Sequence, residues 1–114
     1  MLRLPTFTYH RPKTAHDAVA IAVEHGKAAM YVAGGTDLYP NMKRRHQTPT
    51  QVISLQDVPG LHGVDLLADG RVAIGAMVKL SALEHHAHLR AHFPAFAHAV
   101  REISTPLLRN MGTI

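Results

Sequence analysis

Residues 33–38 read Ala-Gly-Gly-Thr-Asp-Leu, behind the short apolar run that ends at Val32. Two glycines there remove both Cβ atoms where a strand ends, so the chain can turn freely and another group can come close to the main chain. Two uses follow from that freedom. One is a tight strand-to-helix turn that needs a positive φ. The other is a nest of backbone amides that holds phosphate. A lone Gly-Gly does not decide between them. Ten residues on, Lys43-Arg44-Arg45-His46 is the most concentrated basic run. Cations there suit a solvated helix end, where they complement the helix dipole, and a phosphate- or partner-binding patch is the rival use.

The ten histidines suggest a different chemistry. His85, His88 and His92 fall on one face of a helix at i, i+3 and i+7. Three imidazoles could share a metal ion, but one straight helix rarely positions all three. No carboxylate–histidine pattern supports such a site, so a solvated amphipathic helix is the favoured reading and no metal site is expected. The absence of Cys removes disulfides, thiol nucleophiles and iron–sulfur ligation within these residues. No Trp, three Tyr and three Phe make a poor stacking surface for nucleic acid. A formal charge of +4 is modest and forms no long stripe. No apolar run approaches the roughly 20 residues of a membrane span, and the opening residues carry no secretory pattern. A soluble, cytoplasmic chain without nucleic-acid or membrane partners is expected.

The elements that must position these residues are legible in outline. Thr14 is an N-cap for a helix closed by Gly26, with Asp17 in its first turn. Ala15, Ala18, Val19, Ala22 and Val23 form its apolar stripe, read as core. Residues 28–33 read as a buried strand, residues 36–45 as a short helix limited by Pro40, and residues 51–55 as a second strand. That order predicts a small parallel unit with a crossover. Beyond it, Asp69-Gly70 between two apolar runs signals a hairpin. Ser81 and Glu84 form a capping box ahead of a helix to about His92, and Pro94 opens another through about Ile103. The end at Gly112-Thr113-Ile114 reads as the start of a strand or glycine turn, so a piece of a longer protein is expected.

Three stretches resemble one family. "AGGTDLYPNMKRR" is similar to the first phosphate loop of the FAD-binding domain in molybdenum hydroxylase flavoproteins, as in carbon monoxide dehydrogenase and xanthine dehydrogenase. "IGAMVKLSALE" matches a typical family segment, and "RNMGTI" resembles the lead-in to the second loop, Thr-Ile-Gly-Gly-Asn, of which only Thr113-Ile114 are present. The opening residues and first loop look most like the 4-hydroxybenzoyl-CoA reductase branch, whose extra iron–sulfur segment would lie beyond residue 114. The implied fold is α+β of the PCMH type. Residues 1–59 would be a βαβ-type subdomain with the first loop. Residues 60–114 would begin a second subdomain of antiparallel strands and helices, cut at the second loop.

The resemblance implies FAD, with its pyrophosphate across the amides of Ala33, Gly34, Gly35, Thr36 and Asp37, flanked by Val32 and Leu38. Thr36 would add a hydroxyl donor. Asp37 would cap the next helix or supply only its amide, since a carboxylate facing pyrophosphate repels it. Ile103 is implied as an apolar contact and Thr113 and Ile114 as a second approach to the cofactor. No catalytic acid or base is implied. Electrons would pass between FAD and an iron–sulfur subunit, and onward to a molybdopterin subunit where substrate reacts. Two rivals remain. One is a non-catalytic fragment or anion- or nucleotide-binding module without functional flavin. The other, a dinucleotide-binding Rossmann unit, lacks G-x-G-x-x-G.

Overall fold

The computed structural model describes residues 3–114, so Met1 and Leu2, with which the first expected subdomain begins, lie outside the described residues. The chain divides into two compact units, one ending at Leu61 and the other running His62–Ile114.

The N-terminal unit is a parallel three-stranded sheet. Its strands are β1 (Thr8–His10), β2 (Ala29–Val32) and β3 (Gln51–Ser54), in spatial order β1-β3-β2. Thr8 pairs with Gln51 on one side of β3, and Ala29 pairs with Gln51 on the other. Parallel neighbours cannot be joined by a tight turn, so each connection carries a helix: α1 (Ala15–His25) between β1 and β2, and α2 (Leu38–Lys43) between β2 and β3. Alternate residues of a strand point to opposite faces, which sorts the core in two. Val52 packs with Val32, Leu38 and Met42, while Ile53 packs with Ala18 and Val58. The middle strand is therefore covered on both sides, with Val52 and Ile53 fully buried.

Two details of this unit differ from the sequence reading. β1 was not expected; the three residues Thr8, Tyr9 and His10 are too few to show alternation, and their pairing with β3 makes them a strand. In α1 the buried face runs through Ala18, Ile21 and Ala22, whereas Val19 and Val23 are exposed and Ala15 lies outside the core. An i, i+3, i+4 stripe starting at Ala18 faces the sheet, and the valines follow one step out of phase. The Thr14 cap does form, with its hydroxyl accepting from the Asp17 amide at 3.0 Å, and Gly26 closes the helix at φ +53°. Outside the sheet, Lys13 and then Arg11 donate to Asp57 and hold its carboxyl below the ordinary 3.8. That contribution is present above the ordinary value and is lost as pH falls through the lowered one.

The C-terminal unit opens with an antiparallel hairpin, β4 (Val64–Leu66) and β5 (Val72–Ile74), whose turn places Gly70 at φ +86°. Four helices follow: α3 (Leu80–Glu84), α4 (Ala87–His92), α5 (Pro94–Glu102) and α6 (Pro106–Arg109). Val78, Leu80, Leu83, Leu89 and Val100 form their common core. The expected single helix ending near His92 is two helices, broken at His85-His86, because the His86 ring accepts the Leu89 amide at 3.4 Å and caps α4 anew. The Ser81–Glu84 capping box does not form. α3 starts one residue before Ser81, with Lys79 in the cap position, and the Glu84 carboxylate is taken by Arg109. Among the described residues no helix is long and apolar enough to cross a membrane.

Met42 is fully buried where α2 meets the sheet. Met42→Ala is expected to cost about 2–5 kcal/mol, measured by urea denaturation. A loss below about 1 kcal/mol would mean that α2 does not hold the sheet as described.

Candidate functional site: the Gly34-Gly35 turn and the Arg109 corner

β2 ends at Val32 and α2 begins at Leu38, and both side chains are buried in the core. They anchor the two ends of the loop, so what Val32 and Leu38 offer a ligand is backbone. Between them, Ala33, Gly34 and Gly35 are half-buried and Thr36 and Asp37 are exposed. Gly35 sits at φ +75°, and a Cβ built there would stand 2.5 and 2.7 Å from the Tyr39 ring. Position 35 thus requires glycine twice over, for the backbone and for the ring. Its carbonyl accepts the Tyr39 amide at 3.2 Å, which starts the helix.

The amides of this turn are its chemically useful feature. Among the described residues, no backbone N–H from Ala33 to Leu38 donates to a protein acceptor. The run lies at the carboxyl end of a parallel strand, where open α/β sheets take their ligands. Asp37 occupies the helix cap position without a side-chain cap hydrogen bond, so the expected capping role is not filled. At φ −102°, ψ −51° its backbone is already helical, whereas a capping side chain needs an extended residue behind it. Its amide remains.

Tyr39 was not singled out from the sequence. The available signal was its place four residues after Gly35, the spacing that brings helical neighbours together. Its phenol is pushed above the ordinary 10.0, by burial first and then by the Tyr9 phenol beside it. The raised value means that this contribution is complete below the ordinary value and is lost as pH rises through the raised one. At neutral pH the ring behind Gly35 is uncharged.

Ile103, Thr113 and Ile114 belong to the C-terminal unit, apart from the loop in sequence and in unit. Ile103 and Ile114 are exposed and Thr113 is half-buried. The segment that carries them is organised by Arg109, which is only 6% exposed. Its guanidinium donates to Glu84 through Nε at 2.9 Å and to the carbonyls of Ile103 and Ser104 at 3.0 and 3.3 Å. Ser104 takes a positive φ of 53° at this corner. Beyond Arg109, the Leu80 amide donates to Gly112, Ile114 donates to Val78, and Thr113 bridges to Lys79. The pairing of Arg109 with Glu84 also escapes the sequence reading, since the two stand 25 residues apart.

The basic run is exposed, and the Arg45 guanidinium donates to the Met42 carbonyl at 2.9 Å, as befits a helix end. The break before α4 takes His85 off the helix that carries His88 and His92, whose rings stack at 4.3 Å. His85 Nδ1 instead lies 2.8 Å from the Ser81 carbonyl. Among the described residues no group of three or more His, Cys, Asp or Glu is placed to hold a metal ion.

The turn with its open amides thus sits in a small parallel sheet that is followed in the chain by a hairpin and short helices. The chain belongs to the family described as the FAD binding domain in molybdopterin dehydrogenase, matched over residues 5–114. It is 37% identical over 110 residues to the carbon monoxide dehydrogenase medium chain of Hydrogenophaga pseudoflava, covering 96% of this chain and 38% of that one. The corresponding chain of Afipia carboxidovorans is 40% identical over 110 residues, with the same coverage of 96% and 38%. The structure of reconstituted CO dehydrogenase from Oligotropha carboxidovorans superposes with a TM-score of 0.92 at 38% identity, covering 97% of this chain and 38% of that one. The chain thus spans 38% of the length of these two curated relatives.

Two substitutions test the geometry. Gly35→Ala should destabilise the protein by roughly 1–3 kcal/mol from the backbone alone, plus the clash with Tyr39. Adding Tyr39→Ala should relieve only the clash, so urea denaturation should show strong coupling between the two; simple additivity would refute the contact. Arg109→Met should cost about 3–5 kcal/mol by stranding the Glu84 charge. In the double variant with Glu84→Met much of that loss should return, and equal loss in both would show that the pair is not what holds the corner.

Proposed function

We propose that the chain is the N-terminal part of the FAD-binding subunit of a molybdenum-containing oxidoreductase, and that the Ala33–Asp37 turn receives the FAD pyrophosphate. The observation that carries this reading is the run of undonated amides around two glycines. An anion approaching that run meets N–H dipoles and no Cβ at positions 34 and 35. Thr36 is exposed and offers a hydroxyl; Asp37 contributes its amide and leaves its carboxylate to solvent. Ile103 offers an apolar contact, and Thr113 and Ile114 begin the second contact with the cofactor. FAD, when bound, supplies the redox chemistry.

In this reading the chain's residues bind and orient rather than move protons, and the electrons pass to iron–sulfur centres on a partner subunit and a molybdopterin subunit beyond. The medium-chain names of the relatives support that division of labour. The boundary between the two FAD-binding subdomains is proposed near Pro59-Gly60, where Gly60 takes φ +81°. A finer assignment to 4-hydroxybenzoyl-CoA reductase rests on the opening residues and first loop alone; the carbon monoxide dehydrogenase relatives lend it no support.

The test is the full-length subunit, purified with its neighbouring subunits. Flavin absorbance that bleaches with dithionite is expected. Gly34→Val should reduce FAD content at least about tenfold, the least expected from losing one strong hydrogen bond to a charged group, while circular dichroism stays native. A folded Gly34→Val protein with undiminished flavin would sink the loop assignment.

A further inference from the structure

A cationic cleft lies in the C-terminal unit, and none of the residues assigned above to the cofactor lines it. Residues of α3, α4 and α5 line an open cleft of about 200 Å³: Glu84, Arg90, Pro94, Ala97, His98 and Arg101. Arg90 and Arg101 lie in the last turns of α4 and α5, where helix dipoles favour a cation. That placement accounts for their charge and leaves their hydrogen-bond donors unspent. Among the described residues the side chains of Arg90, His98 and Arg101 make no hydrogen bond or ion pair.

The one carboxylate lining the cleft is already spent. Glu84 receives Arg109 Nε at 2.9 Å and a second Arg109 nitrogen at 3.5 Å, and the pair is largely shielded from solvent. Its charge is balanced by Arg109, which does not line the cleft. Glu102, next to Arg101 in sequence, does not line it either. Two guanidinium groups are therefore left in surplus on one concave surface. Each presents a planar fork that matches the oxygens of phosphate or carboxylate.

We propose that this cleft is an oxyanion site that takes a phosphate group between Arg90 and Arg101, with His98 at its rim. Size restricts the occupant. Sites for whole drug-sized ligands run from about 300 Å³ upward, and a cleft of about 200 Å³ suits a group the size of phosphate. That group is either free phosphate or the terminal phosphate of a molecule whose remainder stands outside. The site does not depend on the flavin reading, because it shares no residue with the Gly34-Gly35 turn.

Calorimetric titration of the full-length protein with inorganic phosphate, and separately with glycerol 3-phosphate, distinguishes the two sources. Saturable binding of either is expected, against sodium chloride at matched ionic strength as the control. The tighter of the two names the source. Arg90→Gln with Arg101→Gln should weaken it at least about tenfold, the least that losing a charge-assisted hydrogen bond gives. Gly34→Val should leave it unchanged, which separates this site from the pyrophosphate turn. Heat that is reproduced by chloride, or that survives the double arginine change, would overturn the proposal.

Discussion

The N-terminal unit depends on one strand that has no solvent face. β3 is paired on both edges and covered on both sides, so its apolar residues must be satisfied by helices arriving from opposite directions. Only crossover connections deliver helices in that way, and they make the three strands parallel. Parallel strands in turn put the end of β2 and the start of α2 at the same edge of the sheet. The Gly34-Gly35 turn is therefore placed by the burial of Val52 and Ile53, two positions that no ligand would touch. Chemistry at the turn and packing in the core are separate demands met by one topology.

The C-terminal unit answers a different problem. Its helices are short, from four residues in α6 to nine in α5, and too brief to persist without tertiary contacts. Capping and one ion pair do much of the local work. Thr105 caps α6, His86 caps α4, and Arg109 ties Glu84 to the carbonyls that lead out of α5. A buried charge pair of this kind contributes less to net stability than to geometry, because desolvation offsets most of its attraction. What it secures is the direction of the chain after Ile103.

Boundaries set by one or two residues are legible in the sequence, whereas contacts between distant residues are not. Thr14, Gly26, Asp69-Gly70 and Pro94 each announce a boundary through the chemistry of one or two residues, and the structure has a boundary at each. The strand-helix-strand order around the glycine turn was legible for the same reason. β1 was missed because a three-residue strand exists only through its partner, and the Ser81–Glu84 motif misled because Glu84 has a better partner far along the chain. At the candidate site, Val32–Leu38 could be marked from the glycines and the family likeness. Tyr39 could not, since the sequence does not show that its ring fills the space beside Gly35. Val19 and Val23 show the remaining weakness: hydrophobicity alone does not say which side of a helix meets the sheet.

The contact between Gly35 and Tyr39 sets the order in which such a domain can change. A lineage released from binding any cofactor could replace exposed Thr36 or Asp37 in single, inexpensive steps. It could not replace Gly35 so freely, because the positive φ and the ring behind it belong to the fold. The second glycine would outlast its exposed neighbours. A decayed copy would be betrayed by its threonine and aspartate long before its glycine was lost.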